Sequence, residues 1–184
     1  MGVAAAVVHT QARAGLQSPR LRMRKVRMKT HKIMFVCHGN ICRSPMAEFL
    51  FKDMVERLGR AKEFEIASCA VSTEEIYNGV GQPVYPPARA ELARHGISCE
   101  EKRAQLLTAQ DGETYDLLLC MDESNLRRAR AIVGAKNSTK CQKLLSYAHG
   151  GDVADPWYTR NFTATYRDIM KGLEGLLLAL DENA

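Results

Sequence analysis

Four consecutive apolar residues, Ile33-Met34-Phe35-Val36, open the patterned part of the chain, and so short a run with no polar alternation predicts a strand buried on both faces. Apolar residues then recur at helical spacing (Met46, Phe49, Leu50, Met54, Leu58), which predicts a helix over 45–58. Residues 64–67 predict a second strand. A Pro/Gly-rich loop over 79–87 leads into a helix across 88–94, closed by His95-Gly96. Thr108 is a candidate cap for a short helix. Residues 116–121, DLLLCM, predict a buried strand, 123–133 a helix and 141–145 a weaker strand. Beyond a loop with Asp155-Pro156, residues from Tyr166 through Ile169, Leu173 and Leu176 to Leu180 mark one face of a long amphipathic helix. Strand and helix alternating in this way predict an α/β fold, a parallel sheet with helices on both faces. Ligands of such sheets bind beyond the carboxyl ends of the strands.

Residues 1–31 carry no sustained pattern. Residues 1–32 hold eight Lys and Arg side chains and no acid, so a chain of net charge +5 leaves residues 33–184 at −3. The basic balance belongs to an arm, and the body is mildly acidic, which argues against a nucleic-acid-binding body. The arm reads as a disordered leader over 1–31 ahead of a domain over 32–184. Its composition would also suit a mitochondrial presequence or a nucleic-acid contact, whereas the apolar stretch 4–8 is too short for a secretory signal. An apolar content of 46% with 26% charged residues is that of a soluble globular chain, and no apolar run approaches a membrane span. The six cysteines, several inside apolar runs, lack the density of a disulfide scaffold and point to a reducing, cytoplasmic setting.

Candidate chemistry concentrates in Cys37-His38-Gly39-Asn40-Ile41-Cys42-Arg43-Ser44, directly after the first predicted strand. A cysteine and an arginine at this spacing recur by chance. The strand before them, Gly39 and Asn40 between them and the helix-opening Ser44-Pro45 after them give the pair its content. Gly39 and Asn40 suit positive φ, which a loop turning its N–H groups inward requires. Such a ring, with a helix N-terminus behind it, favours negative charge on sulfur and on a bound oxyanion. Cys37 is the candidate nucleophile, Ser44 a hydrogen-bond donor to its thiolate, and Arg43 a bidentate clamp on two phosphate oxygens. The plain alternatives are a buried inert cysteine and a surface arginine; the helix dipole disfavours the second. Cys42 reads either as loop packing or as a disulfide partner shielding Cys37 under oxidation.

Phosphoryl transfer also needs an acid for the leaving group. Asp155-Pro156-Trp157-Tyr158 supplies one in a proline-stiffened loop beside two aromatics that suit a slot for a planar ring; an ordinary Asp-Pro turn is the alternative. His31, Cys37, His38 and Cys42 cluster, but no second Cys pair follows at zinc-knuckle spacing, and no metal is expected. His38, His95 and His149 otherwise read as loop or helix-end residues without a role.

Together these motifs resemble the low-molecular-weight protein tyrosine phosphatases of bacterial type. The resemblance rests on the run from Cys37 to Pro45, on Asp155 to Tyr158, and between them on Ile66-Ala67-Ser68, Pro87-Ala88-Arg89-Ala90 and Cys120-Met121-Asp122-Glu123-Ser124-Asn125. It runs from about Lys32 to near the C-terminus; residues 1–31 have no counterpart. It implies a flavodoxin-like four-stranded parallel sheet of order 2-1-3-4. It implies hydrolysis of phosphotyrosine or small aryl phosphates through a phosphocysteine, without metal or cofactor. Cys37 would be the nucleophile, Arg43 the clamp, and Asp155 the general acid and then the base that activates water. His38, Gly39, Asn40, Ile41, Cys42 and Ser44 would form the phosphate loop, held in shape by Asn40, Ser44 and Ser68. Trp157 and Tyr158 would line the entrance. The partners would be tyrosine-phosphorylated proteins or small aryl phosphates, with no nucleic acid or membrane, acting on a monomer or weak dimer.

The chain departs from the family pattern at His38, where an apolar or small residue is usual, and in Glu101-Lys102-Arg103-Ala104-Gln105-Leu106, which lacks a histidine often found there. Ser72-Thr73-Glu74-Glu75 puts acids near the rim. Relatives on the same scaffold stay open. Thioredoxin-coupled arsenate reductases need two further cysteines, for which Cys99 and Cys120 are the nearest candidates. Protein-arginine phosphatases favour threonine where this chain has Ile41, and an apolar Ile41 suits a phenyl ring. A phosphotyrosine-binding module would be expected to lose Cys37 or Asp155.

Overall fold

The computed structural model describes residues 30–182, together with Gly2. The expected disordered arm therefore falls outside the described residues, save that His31 already belongs to the first strand and stacks on Phe64. In chain order the elements are β1 (His31–Cys37), α1 (Arg43–Arg57), β2 (Phe64–Ala70), β3 (Ile76–Tyr77), β4 (Val80–Gly81) and α2 (Pro86–Arg94). There follow α3 (Ala109–Thr114), β5 (Leu117–Cys120), α4 (Glu123–Val133), β6 (Cys141–Lys143), α5 (Pro156–Thr159) and α6 (Phe162–Glu182). Four strands form one parallel sheet in the order β2-β1-β5-β6, which is the 2-1-3-4 order the resemblance implied.

Strand β1 explains the layering. Ile33, Phe35 and Cys37 face a core built with Met46, Phe51, Leu92, Ile169 and Leu173 from α1, α2 and α6. Met34 and Val36 face the other side, where Leu126, Ala129 and Val133 of α4 close over Leu118, Cys120 and Cys141. A strand covered on both faces has no solvent side to alternate toward, hence its unbroken apolar run. Burying each large side chain contributes about 1.5–3 kcal/mol. Helix α6 reaches the 144–147 turn so closely that a Cβ on Gly175 would lie 1.9 Å from the Tyr147 carbonyl oxygen.

Several boundaries move. A hairpin, β3–β4, precedes and enters the loop predicted over 79–87, turning through Asn78 and Gly79 at φ 50° and 78°; each strand is too short for a periodic signal. The strand predicted over 141–145 stops at Lys143, and Leu144–Tyr147 form a 3-10 turn instead. Helix α2 starts at Pro86, with prolines filling first-turn positions that need no N–H donor. Thr108 does cap α3, in a reciprocal box with Asp111.

Candidate active site

The chain leaves the carboxyl edge of the sheet at Cys37 and re-enters helix at Arg43, and Asn40 makes the reversal. Asn40 is fully buried at φ 57°. Its backbone N–H points at Cys37 Sγ, 3.3 Å away, and Ser44 Oγ donates to the same sulfur at 3.0 Å. Asn40 Nδ2 donates to Ser44 Oγ and Ser68 Oγ, each at 2.8 Å, while its Oδ1 accepts from the Gln105 N–H at 3.0 Å. One side chain thus ties the loop to α1, β2 and the segment before α3. The expectation of positive φ at Gly39 is corrected: Asn40 alone in the loop adopts it. Gly39 serves close approach instead, since a Cβ there would lie 2.8 Å from Glu75 Cγ.

Behind the loop lies a buried charge network whose pairings have no signature in the local sequence. Ser68 Oγ donates to Glu48 Oε2 at 2.6 Å, and Lys102 Nζ sits 3.0 Å from the same oxygen and 2.9 Å from the Ser68 carbonyl. Lys52 takes the other carboxylate oxygen. Burial pushes the Glu48 carboxyl up, but the Lys102 charge and the hydrogen bonds from Lys52 and Ser68 outweigh it and hold the group below its ordinary value. Lys102 lies in the stretch where a histidine was missed, and an ammonium fills the supporting place. Glu48 was detectable as an acid one helical turn after Ser44, on the buried face of α1.

Arg43 is buried, not a surface helix-start residue. Its Nη1 meets Asp122 Oδ2 at 2.7 Å and its Nη2 meets Asp155 Oδ2 at 2.6 Å. Burial works against its charge, but the Cys37 sulfur, Asp155 and Asp122 reverse the effect and raise its pKa. Asp122 also caps α4 by accepting from the Asn125 N–H at 2.7 Å. Its placement after the third strand of the parallel sheet was the available signal. Asp155 caps the short α5 through the Trp157 N–H at 2.9 Å.

Cys37, His38, Gly39, Ile41, Cys42, Arg43 and Asp155 share one cavity of about 410 Å³, with Trp157 and Tyr158 on its wall. Tyr158 is 82% exposed and Trp157 54%, which suits a rim. His38 is not without a role: its Nε2 pairs with Glu74 Oε2 at 2.9 Å, fastening the loop to the segment before β3. Burial, then the nearby Cys37 and Asp155, push the Cys42 thiol up to about 12 against the pull of Arg43. Ser68 lies beneath the loop and not in the cavity. Cys99 and Cys120 are both buried and line no part of it.

A sulfur receiving N–H and O–H donors, an arginine beside it and an acid on that arginine are the groups a cysteine-dependent phosphoryl-transfer site needs, on a doubly wound sheet. The family profile described as "Low molecular weight phosphotyrosine protein phosphatase" matches residues 32–184. The low molecular weight protein-tyrosine-phosphatase YfkJ of Bacillus subtilis is 34% identical over 153 residues, covering 82% of this chain and 96% of its own length. The pig low molecular weight phosphotyrosine protein phosphatase is 36% identical over 154 residues, covering 77% and 90%. The crystal structure of YfkJ superimposes with a TM-score of 0.79, covering 85% of this chain and 98% of that one at 32% identity. YwlE arginine phosphatase, solved with a phosphorylated active-site serine, gives 0.71 over 82% and 95% at 28% identity. The chain belongs to the low molecular weight protein tyrosine phosphatases of bacterial type, and is an enzyme of that family.

Proposed function

We propose that this enzyme hydrolyses phosphotyrosine through a phosphocysteine on Cys37. The observation that carries the reading is the convergence on one cavity of a sulfur held by Asn40 and Ser44 and a guanidinium held by Asp155. The loop N–H groups and Arg43 take the non-bridging oxygens, and their charge is matched as it grows in the transition state. Cys37 sulfur attacks phosphorus in line and the P–O bond to the phenol breaks, with Asp155 giving its proton to the leaving oxygen. Asp155 then takes a proton from water, which attacks the thiophosphate and releases inorganic phosphate and the free sulfur. Ile41, Trp157 and Tyr158 wall the ring. Cys42 is the redox partner of Cys37 in this reading.

The arsenate-reductase alternative needs mobile relay cysteines, and Cys99 and Cys120 lie buried outside the cavity. A phosphotyrosine-binding module would have no use for an acid on the arginine. Phosphorylated proteins are the substrates. Residues 32–184 form the catalytic domain and 1–31 an extension to it, in a cytoplasmic monomer or weak dimer that engages no nucleic acid. Among the described residues no helix is long and apolar enough to cross a membrane. The test is hydrolysis of a small aryl phosphate in excess chelator. Cys37→Ser is expected to abolish turnover, and Asp155→Asn to cut kcat by ~10²–10⁴ with KM little changed. Full activity in Cys37→Ser would sink the mechanism.

A further inference from the structure

The cavity is lined by four carboxylates, Glu74, Glu75, Asp122 and Asp155, against the basic side chains of His38 and Arg43. Three of the four are matched: Asp122 and Asp155 hold Arg43, and Glu74 pairs with His38 and lies within reach of the Arg128 charge. The Glu75 carboxylate has no hydrogen bond or ion pair among the described residues. Nor does it hang free in solvent. Glu75 is half-buried, with its Cγ over Gly39.

Its position is built by the backbone. The Glu75 carbonyl accepts from the Gln82 N–H at 2.8 Å across the β3–β4 hairpin, and the Gln82 carbonyl accepts from the Ala104 N–H at 2.9 Å. Gly81 packs directly on the Ala104 carbonyl. Side chain and scaffold together hold at the mouth of a phosphate loop a negative charge that no described residue neutralises. Such a charge repels a bare phosphate ester and any acidic neighbour, and it becomes attractive only when the ligand brings a cation with it.

We propose that Glu75 is a specificity residue that selects phosphotyrosine flanked by lysine or arginine, an inference that rests on the phosphotyrosine-hydrolase reading and narrows its substrate class. The flanking ammonium or guanidinium supplies the ion-pair partner that Glu75 lacks among the described residues, while a flanking acid meets repulsion. The preference belongs to encounter and binding, so it appears in KM and in salt dependence rather than in kcat.

The experiment compares phosphotyrosine peptides identical except for Arg, Ala or Glu on either side of the phosphotyrosine. The wild-type kcat/KM should fall in the order Arg, Ala, Glu, spanning about tenfold at low ionic strength and shrinking as salt is added. Glu75→Gln should compress the span to less than about twofold and lower KM for a small aryl phosphate that carries no cation. Glu75→Lys should reverse the order. A wild-type enzyme indifferent to flanking charge, or a span unchanged in Glu75→Gln, would overturn the assignment while leaving phosphotyrosine hydrolysis standing. Faster turnover of a phosphoarginine peptide than of the Arg-flanked phosphotyrosine peptide would also overturn it, by placing the cation on the phosphorylated residue itself. Failure of the wild type to hydrolyse any aryl phosphate would remove the parent reading and this one with it.

Discussion

Replacing Asn40 tests how the phosphate loop keeps its shape. In Asn40→Ala the Gln105 N–H loses its acceptor, and Ser44 and Ser68 lose the amide that links them. The two hydroxyls keep other partners, Cys37 Sγ and Glu48 Oε2, so the Gln105 N–H is the main group left unpaired. Gln105 is exposed and its bond to Asn40 only part-buried, so the unpaired donor costs the low end of the range for such groups, about 1 kcal/mol. A Cβ-bearing residue without a compensating side-chain bond costs ~1–2 kcal/mol at φ 57°. The sum, about 2–3 kcal/mol, is a large share of the ~5–15 kcal/mol that holds a domain folded. Asn40→Gly removes the same hydrogen bonds but takes positive φ freely. After its larger unfolded-state entropy is counted, it should recover ~0.5–1 kcal/mol relative to alanine. Urea unfolding at constant m measures both, and aryl phosphate hydrolysis should fall ~10²-fold in each as the N–H groups lose their aim. Wild-type stability and rate in Asn40→Gly would refute the claim that the side-chain bonds shape the loop. Equal stability of the two variants would refute the strain component.

Glu48→Gln should be destabilised by ~2–3 kcal/mol near neutral pH, because Lys102 keeps a buried charge without its partner. The Glu48 carboxyl is held below its ordinary value in the folded protein, so its contribution is present above the unfolded value and lost as pH falls through the depressed folded value. The stability gap between wild type and variant should therefore close under acid; a gap constant with pH would refute the linkage. For Cys42, peroxide first oxidises the Cys37 sulfur to a sulfenic acid, and the Cys42 thiolate then attacks that sulfur and displaces hydroxide, which takes a proton from solvent to leave as water. With its thiol raised to about 12, Cys42 closes the disulfide slowly at neutral pH and faster as pH rises. The activity that dithiothreitol restores after peroxide should grow with pH in wild type and vanish in Cys42→Ser. Equal recovery in both would exclude Cys42 as the partner.

The sheet and its flanking helices were legible because β1 and β5 are buried on both faces and write that burial as unbroken apolar runs. The same logic left β3–β4 invisible, since two-residue strands have no period and their turn chemistry sits inside a Pro/Gly-rich stretch. At the site, Cys37, Arg43 and Ser44 were readable from local spacing along one loop. Glu48 carries a local signal only as an acid on the buried face of α1, and its role, like those of Lys102 and Asp122, is not readable, because it lies in contacts between segments tens of residues apart. Single acids and lysines in a sequence default to solvated surface, and only packing turns them into a network. His38 shows the same limit: its partner Glu74 reads as a rim acid, yet nothing in either segment announces the pairing.

The grip of two aspartates on Arg43 bears on how the enzyme meets its ligand. Asp122 and Asp155 present one carboxylate oxygen each to Nη1 and Nη2, the two nitrogens that a phosphate would engage in bidentate fashion. The two aspartates thus occupy the guanidinium as an anionic ligand would. Ligand capture becomes an exchange of one anion for another, and its net strength is a difference between two similar attractions. That exchange keeps the arginine aimed between turnovers and lets inorganic phosphate depart against a waiting replacement.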